Sequence, residues 1–267
     1  MDMRCALFLI FTSAWVYAQD PVEIIRRSLN RDFNNFERLQ NYTYQEREEN
    51  REIDADGRVK KTEVETREIL ILGGRPYRRV IARDDKPLAE KDIRKEQDKM
   101  DRTLAEREKQ PAAEKAKQDK ARAEGRKFLA ELPDAFRFHL AGEETVSGKP
   151  AWVIEADPKP DFRPKDTRSK VLAKVRGKVW IEKSEYQWVK AEAEVLDTLS
   201  FGMAIFRLAP GGFLKFEQTR VNDEVWLPAH MMIRADARLA YVKKVRAEIE
   251  VNYRDYKKFQ AESRIVP

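Results

Sequence analysis

Residues 244–253 read KVRAEIEVNY. Val245, Ala247, Ile249, Val251 and Tyr253 are apolar; Lys244, Arg246, Glu248, Glu250 and Asn252 between them are polar. Apolar residues at every second position mark a strand with one dry and one wet face, the pattern of an antiparallel sheet. The same period appears upstream. Val189, Ala191, Ala193 and Val195 share a face, and Lys190, Glu192 and Glu194 share the other. Residues 42–53 and 58–72 are extended stretches joined by Asp54-Ala55-Asp56-Gly57, a hairpin turn. A further stretch covers Tyr77–Arg83. After Pro133 come 136–146 and 151–156 around Ser147-Gly148, a loop over 158–170, and strands at 172–183 and 186–197. About ten or eleven strands and few helices predict a mainly β chain with some α structure: one strongly curved antiparallel sheet, an open half-barrel.

Two helical regions interrupt the strands. Asp20-Pro21-Val22-Glu23 is a helix start, with Asp20 as cap, Pro21 in the first turn and Glu23 closing a capping box. Ile25, Leu29, Phe33 and Phe36 then follow at helical spacing, so a helix over 21–39 presses an apolar stripe onto its neighbours. Residues 84–131 differ from the rest: 14 are basic and 13 acidic, and helix formers dominate. Pro111 divides them into helices near 88–109 and 112–131, with only Ile93, Met100 and Leu104 as an apolar stripe. Such a segment reads as a solvated arm laced with i,i+4 ion pairs, or as a lid or partner-binding arm.

Residues 1–18, MDMRCALFLIFTSAWVYA, have a charged start at Arg4, an apolar run and Val16-Tyr17-Ala18 before a cut. This is the form of a secretory signal, cleaved after Ala18. The run is shorter than the roughly 20 residues of a spanning helix. The expected layout is a leader at 1–18 and one domain at 19–267 with its helical insertion at about 84–131, located in the periplasm.

Thr198–Leu208, TLSFGMAIFRL, breaks the alternation. Leu199, Phe201, Met203 and Ile205 point one way, Phe206 and Leu208 the other. A strand apolar on both faces is covered on both. With Phe213, Met231 and Ile233 beside it, this segment is the candidate lining of an apolar cavity, Ile25, Leu29 and Phe33 being the lid above; ordinary core under the helix is the alternative. Met suits irregular apolar partners.

The chain has 267 residues, 53 basic and 47 acidic, one Cys and two His. One Cys excludes a disulfide framework and a Cys-based zinc site. The charges are nearly balanced and scattered, unlike the concentrated basic patch of a nucleic-acid binder. No nucleophile elbow, phosphate loop or metal-binding helix motif is present. His139 and His230 fall in strands, where a lone His is usually structural. The sequence therefore calls for no catalytic residue, cofactor or metal, and for no nucleic acid among the partners.

Four phrases carry a likeness: KPAWVIEADPKP (149–160), RGKVWIEKSEYQWVKAEAEV (176–195), FEQTRVNDEVWLP (216–228) and NYRDYKKFQAESRIV (252–266). They resemble bacterial exported outer-membrane lipoprotein-sorting proteins, in the group around the LolA and LolB carriers. The resemblance is closest over the last 120 residues or so. It implies an unclosed antiparallel half-barrel covered by helices. It also implies a carrier or binder of lipid, or of the acyl chains of a lipoprotein, passing cargo between membrane-associated donor and acceptor proteins. Related folds also serve as envelope-stress sensors, so a protein-interaction module working through the charged arm is the alternative.

Overall fold

The computed structural model describes residues 19–201, 206–239 and 243–259. The expected leader, Met203 and Ile205 lie outside them. Helix α1 is Pro21–Leu39. Strands β1 (Tyr42–Ile53), β2 (Val59–Leu72), β3 (Arg75–Arg83) and the two-residue β4 (Lys86–Pro87) follow. Then come helices α2 (Glu90–Lys109) and α3 (Ala112–Glu124), a 3-10 turn at Lys127–Glu131 and the short α4 (Leu132–Ala135). The remaining strands are β5 (Phe136–Val146), β6 (Lys149–Pro158), β7 (Val175–Glu182), β8 (Trp188–Val195), β9 (Leu199–Phe201), β10 (Phe206–Leu208), β11 (Phe213–Val221), β12 (Val225–Leu239) and β13 (Lys243–Lys258).

Eleven strands form one antiparallel sheet in the order β4-β3-β2-β1-β13-β12-β11-β8-β7-β6-β5. The sheet does not close, so its ends are β4 and β5. Pairing of β1 with β13, from Tyr42 against Lys258 to Ile53 against Arg246, ties the two ends of the chain together. The turns follow from residue chemistry. Gly57 ends the β1–β2 turn at φ +82°, and Ser147 and Gly148 take φ +49° and +78° between β5 and β6. Positive φ at both central residues gives a turn whose twist matches the strands it joins.

Asp20 caps α1 by accepting the Val22 amide at 2.9 Å. Glu23 does not close the box; it accepts from Arg27 at 2.9 Å, one helical turn on. The apolar side of α1 lies on the inner face of the sheet. Ile24 and Ile25 pack with Trp152, Ile154 and Ile181 in the central core. A second cluster on the outer face joins Val153, Trp180, Val189 and Trp226. At the β5 end, Ala135, Phe136, Ala156 and Leu172 form a third.

Two expectations change. The strand predicted from 172 begins at Val175, because Ser169–Lys174 is a 3-10 turn. Asp166 fixes it, accepting from the Arg168 and Ser169 amides at 2.7 and 2.8 Å. The described residues 199–201 and 206–208 are not one continuous strand. They are the short strands β9 and β10, paired antiparallel to each other, with β10 also on β12.

Candidate functional site

The inner face of the sheet holds an apolar cavity of about 520 Å³, inside the roughly 300–1,000 Å³ of small-molecule sites. Strand alternation builds its floor. Val179 lies opposite Ala191 and Gly177 opposite Ala193. Ala191 in turn lies opposite Phe216, and Ala193 opposite Leu214. Leu214 meets Ile233 on β12. Residues directly opposite share a face, so these side chains form one dry band across four strands. The small residues Gly177, Ala191 and Ala193 leave the space that larger side chains would fill. Trp188 closes one side, its ring 5.1 Å from that of Phe216.

Above this floor lie Ile25, Ser28, Leu29 and Asp32 of α1, and Phe128, Leu129 and Leu132 from the end of the charged arm. Leu199 and Leu208 bring the β9–β10 hairpin to the rim. Leu214 is 38% exposed, and what it faces is this cavity. A large apolar side chain left open toward an apolar hollow is a surface awaiting an apolar partner.

The sequence candidates distribute unevenly around this cavity. Ile25, Leu29, Phe213 and Ile233 line it. Met231 shares the face of Ile233 further along β12, opposite Phe216 and Val251, and is not part of the wall. Phe33 is half-buried on α1 and also stands off it. Phe201 ends β9, paired with Phe206. The α1 surface that is most buried runs through Ile24, Ile25, Ser28 and Asp32, so the lid turns two polar residues inward where the apolar spacing pointed to Phe33.

Asp32 is the residue that sequence reasoning missed. It is 4% exposed, lines the cavity and forms an ion pair with Arg126. Burial raises its carboxyl above the usual range, against the opposing pull of Arg126 and the Trp188 indole. Arg126 lies in the loop between α3 and the 3-10 turn, with its guanidinium carbon 4.5 Å from the centre of the Phe36 ring. One pair therefore joins the end of the arm to the middle of α1. Asp32 looks in the sequence like part of the wet side of α1, and Arg126 is one cation among many in the charged arm.

His139 is exposed on β5. His230 stands between Glu217 and Glu250, at 3.3 and 3.1 Å, on the face of the sheet away from the cavity. Among the described residues no group of three or more His, Cys, Asp or Glu side chains is placed to hold a metal ion. No described helix is long and apolar enough to cross a membrane.

No family defined by sequence matches this chain, and no curated protein does. Several solved structures are similar over most of its length. An outer membrane lipoprotein-sorting protein domain from Vibrio parahaemolyticus is 15% identical and covers 91% of this chain and 94% of its own, at a TM-score of 0.38. A LolA superfamily protein from Nitrosomonas europaea is 12% identical, with 92% and 96% covered, at 0.32. The MucA/MucB complex of Pseudomonas aeruginosa is 11% identical, with 90% and 100% covered, at 0.25.

Proposed function

We propose that this chain is a periplasmic binder that holds the acyl chain of a lipid or of a lipidated protein in the cavity between α1 and the sheet. The observation that carries the reading is the cavity of about 520 Å³, walled almost wholly by aliphatic and aromatic side chains. An acyl chain gains about 0.8 kcal/mol per CH₂ moved from water into such a wall. A wall without directional bonds accepts chains of varied length and releases them again, which suits a carrier. The leader expected at 1–18 supports the compartment, and the likeness of residues 149–266 to lipoprotein-sorting proteins supports the cargo class.

Native mass spectrometry of residues 19–267 purified from the envelope fraction tests this. A co-purifying lipid or lipopeptide at a defined ratio is expected. Ala193→Phe, which fills the floor, and Leu214→Asp, which wets the rim, are each expected to abolish the adduct while the fold is retained. An adduct unchanged by both substitutions places the lipid elsewhere and defeats the reading.

One observation favours a second reading, a protein-interaction module. Ile93 is 54% exposed on α2, an apolar residue on an otherwise charged outward face. Loss of a captured envelope protein on Ile93→Glu, with the lipid adduct retained, would assign the arm to partner binding.

A further inference from the structure

Asp32 lines a largely apolar cavity, and Arg126 pairs with it from the end of the arm. The other charged residues along the wall already hold partners of their own: Arg176 pairs with Glu194 at 2.7 Å, Lys178 with Glu155 at 3.1 Å, Glu192 with Lys190 at 2.9 Å and Arg234 with Glu248 at 2.8 Å. Strand parity directs these toward the outer face. Asp32 and Arg126 bring opposite charges together from the lid side. Arg126 gives one guanidinium nitrogen, Nη2, to Asp32. Its Nε is buried and has no hydrogen-bond partner. A guanidinium has five N–H donors in a planar fork that fits carboxylate and phosphate oxygens. A buried donor without an acceptor is costly, and an incoming anion would remove that cost.

We infer that the cavity takes an acyl chain whose end carries an anionic head, a carboxylate or a phosphate, and that Arg126 receives that head in place of, or beside, Asp32. The inference rests on the proposed acyl-binding reading and narrows it to a ligand class. Burial already raises the Asp32 carboxyl and Arg126 opposes that rise, so an anion that takes Arg126 drives Asp32 toward its neutral form, in which it needs no cation beside it. The apolar floor then holds the chain, and the pair sets its direction, head toward the arm.

Binding of palmitate and of methyl palmitate to mature protein, read by isothermal titration calorimetry, tests this. The two probes share a chain and differ in the charge of the head. The acid is expected to bind about tenfold more tightly, the increment of a charge-assisted hydrogen bond. In Arg126→Gln the preference for the acid is expected to fall to about one. In Asp32→Asn, which removes the competing carboxylate and keeps the size, it is expected to rise. Equal binding of acid and ester to the wild-type protein would overturn the anionic-head inference and leave the acyl binder standing, as would an acid preference that survives Arg126→Gln. Binding of neither probe would defeat both.

Discussion

Ile154 is completely buried on β6 under α1, between Trp152 and Ile181, and is not part of the cavity wall. Ile154→Ala removes three carbons from a fully buried site. The expected loss of stability is about 2–5 kcal/mol, transfer and cavity costs together, measured by urea unfolding with an unchanged m-value. Near-neutral behaviour would mean that α1 is not docked on this core in solution. At this scale the sequence is legible where apolarity is the signal. Ile25 and Leu29 fall on the cavity because helical spacing finds a helix's apolar side. Ser28 and Asp32 escape that logic, since polar residues turned inward look in the sequence like the wet side of the same helix. Arg126 is one of 14 cations among residues 84–131, and only three dimensions pick it out as the partner of Asp32.

The charged arm is attached by few points, and these are specific. Arg107, near the end of α2, donates to three backbone carbonyls around the β2–β3 turn: Leu72 at 2.7 Å, Arg75 at 3.0 Å and Pro76 at 3.1 Å. Arg75 reaches back to Gln110 at 3.1 Å and to Gln118. The arm's surface ion pairs, such as Arg94 with Glu90 at 2.6 Å, are worth roughly 0–1 kcal/mol each and do not hold it down. Arg107→Ala is therefore expected to speed proteolysis at the α2–α3 junction around Pro111 several-fold while the sheet melts at nearly the same temperature. A digestion rate equal to that of the wild-type protein would show that α2 docks by other contacts. Helix and hairpin existence was readable because Pro111, Asp54–Gly57 and Ser147-Gly148 are strong local punctuation. The pairing of β9 with β10 was not, because a short run of apolar residues reads equally well as one strand or two, and the pairing of β10 with β12 is a long-range choice.

At the scale of the whole molecule the carboxylates fall into two groups of opposite sign. Glu49, held by Arg47 at 3.1 Å and Arg51 at 2.6 Å, titrates below its ordinary range, with the Arg47 hydrogen bond as the leading cause. Glu248 is lowered likewise, first by Arg234. Such groups contribute stability that is present above the unfolded carboxylate pKa of about 4.3 and is lost as pH falls through the folded value. Glu46 is the reverse. It is buried on β1, and desolvation raises its pKa despite Arg78 at 3.4 Å and Arg67 nearby. Its stabilising share is complete below the unfolded pKa and is lost as pH rises through the folded one. Arg78 is 70% exposed, so it remains solvated when its partner is removed. The expected outcome is a pair of opposite slopes. Between pH 3.5 and 7, the melting temperature of Glu46→Gln relative to wild type rises, and that of Glu49→Gln falls. The same sign for both would mean that the burial of Glu46 beside Arg78 does not persist in solution. The difference follows from the open sheet: one face carries the Arg47–Glu49–Arg51–Glu248 lattice in contact with water, where pairing wins, and the other turns Glu46 toward Tyr44 and Tyr253, where desolvation wins.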